Sequence, residues 1–249
     1  MRVTLEIAVT TPDEAVAAER AGADRLELCA ALEVGGVTPS MGVFERVRDL
    51  VEVPVWVLLR PRPGGFLYTT EEYEATLRDT EAFVTAGADG IVIGALDGAG
   101  NVALEECRRL SRLARGRIVF HRAFDFAVDP RAALERLVEL GFARVLTSGG
   151  RRTALEGSAA IRELLGQAAG RIPVMPGGGV RPDNVAELVR ATGCREVHSS
   201  ARLGVRHPGL ERNPGLARAM GAEDAVRTFS TDAALVAGLR TALDHLGQM

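Results

Sequence analysis

The chain has 249 residues, 47% of them hydrophobic, and a formal net charge of −3, a balance that gives no electrostatic case for holding a polyanion and so excludes nucleic acid as the expected partner. Its first residues, MRVTLEIAVT, contain no apolar run of the length a signal sequence or a membrane span needs, which points to the cytoplasm. All 30 basic residues are arginine, and without a lysine amine neither Schiff-base chemistry nor a pyridoxal phosphate anchor is available.

Taken in chain order, TLEIA from residue 4 reads as the first strand and PDEAVAAERAG as the helix after it. The next strand lies in AGADRLEL at 21, where a glycine closes the helix and an apolar run follows at once. The same grammar returns in AGADGIVI at 86, LGFARVLT at 140 and TGCREVHS at 192. Between these repeats stand VPVWVLL from 53, RIVF from 117 and RIPVM from 171, with amphipathic stretches such as LEECRRLSRLA and PRAALERLVELG separating strands. Strands and helices alternating in this way predict a (β/α)8 TIM barrel, α/β in class and a single domain over 1–249. An open doubly wound sheet is disfavoured because the first strand-to-helix turn, AVTTPDEA, lacks a glycine-rich dinucleotide fingerprint. Residues 201–228 form a long arginine-rich loop, with Arg202, Arg206, Arg212, Arg218 and Arg227, whose role as lid, interface or disordered segment stays open. STDAALVAGLRTALDHL is the closing helix, with Ser230 or Thr231 as N-cap and Leu235, Leu239, Leu243 and Leu246 as its apolar stripe.

Strand parity then sorts the side chains. Leu5 and Ile7, Leu26 and Leu28, Ile118 and Phe120, and Val197 belong against the helices, which turns Glu6, Glu27, Cys29, His121 and His198 inward. Arg60 and Arg62 share a parity after the third strand, and Asp125 follows the fifth. The candidate catalytic set is therefore Glu6, Glu27, Arg60, Arg62, His121, Asp125 and His198, at the carboxyl face where such barrels carry chemistry. Any one of them read alone is more often a satisfied structural group than a catalyst, whereas the cluster as a whole points to a site. MPGGGV after the seventh strand and HSSAR after the eighth offer Gly177, Gly178, Gly179, Ser199 and Ser200 as an anion cradle, beside the plainer reading of a turn that needs positive φ.

With ELCAALEVGGVTPS, RPRPGGFLY, FHRAFD, RVLTSGG, MPGGGV and EVHSSAR assembled, the chain resembles the CutC family from about residue 3 to about residue 205. The resemblance implies a TIM barrel and a cytoplasmic role in copper homeostasis through binding of copper(I). Two departures stand out: the first strand reads Glu6-Ile7-Ala8 where the family often has a cysteine, and Gly65 stands where it commonly has an aspartate. Copper(I) prefers soft ligands, so Cys29 is the metal candidate carried over, with Met175, His121, His198 or a second subunit completing a site. Cys107 and Cys194 are read as incidental, and the three cysteines, an odd number without zinc-type spacing, as reduced thiols. The alternative is an enzyme acting on a small anionic metabolite, phosphorylated or not, by acid-base chemistry with or without a divalent metal. The partner is then a small ligand or a metal ion, and a homo-oligomer is left open.

Overall fold

Branched and aliphatic residues recur at every second position of each short strand, and in the computed structural model, which describes residues 2–206, 208–219 and 227–246, this alternation closes a barrel. The strands are β1 (Thr4–Val9), β2 (Arg25–Leu28), β3 (Val55–Leu58), β4 (Gly90–Ile93), β5 (Ile118–Phe120), β6 (Arg144–Thr147), β7 (Val174–Pro176) and β8 (Glu196–Ser199). They pair in parallel in the order β7-β6-β5-β4-β3-β2-β1-β8, and a parallel bridge from Gly177 to His198 closes the ring. The fold is the expected (β/α)8 barrel.

Seven helices join consecutive strands: α1 (Pro12–Arg20), α2 (Met41–Leu50), α3 (Thr70–Thr85), α4 (Leu104–Leu113), α5 (Pro130–Glu139), α6 (Ser158–Ala168) and α7 (Val185–Thr192). Their starts carry local signals: Thr11 caps α1 ahead of Pro12, Thr69 and Glu72 form a reciprocal capping box on α3, and Asp129 caps α5 ahead of Pro130. The outward strand residues Leu5, Ile7, Leu26, Leu28, Ile118, Phe120 and Val197 join the helices in one large core. Phe44 and Phe120 are fully buried there, each stabilising the fold by on the order of 2–3 kcal/mol.

The barrel interior is a second, smaller cluster of Cys29, Trp56, Leu58, Val92 and Val119. Gly90 on the inner face of β4 makes room for the Trp56 ring, and Gly94 just beyond the strand makes room for His121. A Cβ on Gly90 would stand 2.2 Å from the Trp56 ring, and one on Gly94 would stand 2.2 Å from His121 Cε1. Neither ring is free to move aside in a packed interior.

The segment after β8 departs from the expected plain loop. Residues 202–206 form β9 (Arg202–Arg206), which pairs antiparallel with β10 (Arg227–Thr231), and between them lie α8 (Pro208–Glu211) and α9 (Pro214–Ala219). Residues 207 and 220–226 of the predicted loop lie outside the described residues. The closing helix, α10 (Ala233–Leu246), starts after Asp232, whose carboxylate accepts from Leu235 N; Thr231 belongs instead to β10, so neither Ser230 nor Thr231 is the cap. Its buried face is Val236, Leu239, Arg240 and Leu243, with Leu235 and Leu246 at the margin. Among the described residues no helix is long and apolar enough to cross a membrane.

Candidate functional site

Inner-face positions of β1, β2 and β8 bring Glu6, Glu27 and His198 together. Glu6, 1% exposed, is held on two sides: Arg25 Nε donates to its Oε2 at 2.5 Å, and His198 Nδ1 stands 2.8 Å from its Oε1. Burial pushes the Glu6 carboxyl up, but Arg25 and the His198 hydrogen bond outweigh it, and the net shift is far below the usual carboxylate range. A carboxylate only accepts, so His198 Nδ1 carries the proton of that bond.

Beneath Glu6 lies a layer of charge. Arg25 Nη2 donates to Glu196 Oε2 at 2.7 Å and lies 3.4 Å from Met175 Sδ. Arg144 Nε lies 3.1 Å from the same Glu196 oxygen, and its guanidinium sits 4.3 Å from the centre of the Trp56 ring. Arg25, Arg144 and Glu196 stand outside the candidate set that the sequence defines. Parity held the signal, since Arg25 shares the inward face of Glu27 and Glu196 that of His198.

Glu27 is 5% exposed, and its Oε2 has no hydrogen-bond partner. Burial raises its carboxyl to about 7, with the anionic Glu6 adding to the rise and His198 opposing it. Burial works against a charged His198, but Glu27 and Glu6 overcome it and the imidazole is raised. Glu27 therefore holds an exchangeable proton near neutrality, beside an imidazole shifted toward its charged form and a Glu6 that stays anionic.

Glu27 and His198 line a cavity of about 1000 Å³ at the carboxyl mouth of the barrel. Leu58, Phe66 and Leu146 make apolar wall; Arg122, Arg181 and Arg202 are its other charged lining, with Arg60 and Asp97. His121 lines the same cavity, is 7% exposed, and accepts from Ala123 N at 3.0 Å through Nδ1. Its Nε2 is buried without a partner. Burial first, and then the Arg60 charge, lowers its pKa to about 3, so the ring is neutral at working pH.

That value sets a pH dependence. Between the ordinary histidine value of 6.5 and about 3 the unfolded chain takes up a proton that folded His121 refuses, so stability present above 6.5 is lost as pH falls. In His121→Gln the decline from neutrality to about pH 4.5 should be smaller by about 2–3 kcal/mol. Urea unfolding at both pH values measures the difference, and an unchanged acid limb would show that His121 titrates normally.

Other expected site residues are placed differently. Arg60 borders the cavity, yet its Nη atoms are engaged with the carbonyl oxygens of Val34, Gly36 and Gly64, so it fastens the surrounding loops and contributes positive charge. Arg62 does not join it: its side chain is 39% exposed and paired with Glu72 at 2.5 Å, outside the cavity. Asp125 is likewise withdrawn. It accepts from Thr147 Oγ1, from the Ser148 and Gly150 amides and from Arg122 Nε, which ties the turn after β5 to the loop after β6 and leaves it no catalytic reach into the mouth cavity.

The glycine triplet has a steric cause. A Cβ on Gly177 would stand 2.5 Å from Leu146 Cδ1, one on Gly178 3.2 Å from Arg122 Nη1, and one on Gly179 2.9 Å from Thr153 Cγ2; Gly178 and Gly179 also take positive φ. Gly178 and Gly179 line the cavity with Ser199 and Ser200, whereas the Gly177 amide donates to Thr147 O. Ser199 Oγ is already engaged with Val180 O and Ala201 N, which leaves Ser200 as the uncommitted hydroxyl candidate of the pair.

Cys29 points into the barrel, as parity requires, but it is fully buried between Leu58 and the Gly36 turn and does not line the cavity. Its S–H faces Val9 O at 3.7 Å. Burial, and then the charge of Glu27, pushes the thiol well above its usual range, the reverse of what a thiolate ligand needs. Met175 Sδ is taken by Arg25, and Cys107 and Cys194 are buried free thiols elsewhere. The residues present do not fit a copper(I) site at Cys29. Glu6, Glu27 and His198 bring ligand atoms within 4.8 Å of one another, a spacing that suits a divalent cation, while each Glu6 oxygen is already paired, one with Arg25 and one with His198.

A closed (β/α)8 barrel with an acid-base cluster beneath a mouth cavity is the class of protein this architecture defines. Residues 3–203 match the sequence model of the CutC family, and the chain belongs to that family. A copper homeostasis protein cutC homolog of Homo sapiens is 46% identical over 239 residues, covering 95% of this chain and 86% of the relative. A family protein CutC of Xylella fastidiosa (strain Temecula1) is 47% identical over 211 residues, covering 84% and 79%. The crystal structure of the copper homeostasis protein CutC from Streptococcus agalactiae superposes with a TM-score of 0.76 at 30% identity, covering 80% of this chain and 98% of that one.

Proposed function

We propose that this chain serves copper homeostasis, the role printed in the names of its relatives, and that its molecular work is acid-base handling of a small anionic ligand in the mouth cavity. The first half rests on membership of the CutC family. The second rests on one observation: Glu27, a residue of the cavity wall, has a buried Oε2 without a partner. A buried polar atom left without a partner costs about 1–3 kcal/mol, a cost that a bound ligand removes.

In this reading Glu27 gives or takes a proton, and His198, held by anionic Glu6, supplies or relays a second one. Arg25 and Arg144 keep Glu6 charged so that protons move only above it. The apolar walls exclude water, and Arg181 and Arg202 attract the ligand's negative group. Three free thiols suit a reducing compartment, so the cytoplasm is the proposed location.

A copper(I) titration of the reduced protein against a chromophoric chelator separates this from a thiolate site. Cys29→Ser should titrate as the wild type does, within about twofold, because the thiol it removes is protonated and enclosed. Tight one-to-one binding that disappears in Cys29→Ser would restore Cys29 as the working ligand and displace the acid-base cluster.

A further inference from the structure

We infer that the mouth cavity takes a small carbonyl compound bearing an anionic group, and that it removes and returns the proton beside the carbonyl with Glu27 as base and His121 as donor to the carbonyl oxygen. This rests on the acid-base reading of the cavity given above and names its substrate class.

The tautomer of His121 is fixed by its surroundings. Nδ1 is spent accepting the Ala123 amide at 3.0 Å, so the neutral ring has its one N–H on Nε2, buried and without an acceptor. A neutral imidazole N–H is an electrophile suited to a carbonyl oxygen, since it strengthens its hydrogen bond as that oxygen gains charge. Glu27, a residue of the same cavity wall, offers the opposite need, a buried oxygen without a donor. A single small molecule answers both if it carries a C=O and an acidic C–H next to it. The rim arginines Arg181 and Arg202 add a place for its carboxylate or phosphate.

The step balances within the site. The Cα–H bond breaks, its proton forms an O–H bond on Glu27, and its electron pair moves onto the carbonyl oxygen as the enolate, which Nε2–H of His121 stabilises. Return of the proton from Glu27 to the same carbon re-forms the Cα–H bond and the carbonyl and regenerates the Glu27 carboxylate. No oxidant or reductant takes part, and because the chain has no lysine the reaction runs through the free carbonyl rather than an imine.

The test is proton exchange in deuterium oxide, with pyruvate, 2-oxobutanoate and dihydroxyacetone phosphate as probes and NMR following loss of the Cα–H signal. Binding of the non-exchanging anions oxalate and 2-phosphoglycolate is measured by calorimetry in parallel. The wild type should exchange at least one probe faster than buffer, Glu27→Gln should abolish this, and His121→Phe should lower it about 100-fold. His121→Gln keeps an N–H donor and should recover part of the rate, which separates lost chemistry from lost folding. Exchange that His121→Phe leaves unchanged overturns the inference. Anion binding without exchange of any probe overturns it too but leaves the acid-base ligand pocket standing; neither binding nor exchange removes both.

Discussion

Replacing Arg25 with methionine should destabilise the protein by about 3–5 kcal/mol, because it strands a buried carboxylate. Arg25 donates to Glu6 and to Glu196 at 2.5 and 2.7 Å, and Glu6 has no route to water at 1% exposure. The net strength of the pair in the wild type is not the source of this figure. A buried ion pair roughly offsets its own desolvation, whereas half of one does not. At about 2–4 °C per kcal/mol for a chain of this size, the loss should appear as a fall in Tm of about 10 °C. Glu6→Gln added to Arg25→Met should recover part of the loss, since it removes the orphaned charge. The variant should also regain stability as the pH is lowered, because buried Glu6, deprived of its strongest cation, takes up a proton more readily. A Tm within about 2 °C of the wild type would mean that Glu6 reaches solvent or another cation.

The second substitution runs the other way. Glu27→Gln should stabilise the protein at about pH 8 by on the order of 2–3 kcal/mol and change little at about pH 4. The folded carboxyl is raised from 4.5 to about 7, so between those values the folded chain holds a proton that the unfolded chain has released. Stability from this group is complete below 4.5 and is lost as pH rises through about 7. His198 is raised as well and works in the same direction, losing its contribution as pH climbs through its folded value. Glutamine keeps the shape and removes the charge that burial opposes. Denaturant titrations at both pH values measure the gain; a variant less stable than the wild type at the higher pH would make Glu27 a structural ion-pair partner instead of a functional group held at a cost to the fold.

Much of the site was legible because a strand alternates. Glu6, Glu27, Cys29, His121 and His198 all turn inward on the parity of their apolar neighbours, and all five do so in the folded barrel. Arg62 and Asp125 lie beyond the strand ends, where no period constrains direction: one turned outward to Glu72, the other was captured by Thr147, Ser148 and Arg122. Arg25, Arg144 and Glu196 sit at strand starts, at the end opposite the carboxyl face to which sequence position points for function. Cys29 shows the same limit in another form. Its direction followed from parity, but its enclosure depends on Gly36 and Leu58, contributed by a turn and a different strand.

The sequence by itself determined the barrel, through eight apolar runs separated by capped amphipathic helices and closed by turn glycines, and it excluded imine chemistry by having no lysine. Those are properties of local period and composition, which need no knowledge of what lies across the ring. Only the tertiary structure decided that Glu6 is neutralised, Glu27 unpartnered, His121 locked with its proton on Nε2 and Cys29 sealed as a thiol. Each of those states is set by burial and by partners distant in the chain, as with the 192 residues that separate Glu6 from His198, and charge and protonation answer to such neighbours rather than to sequence order.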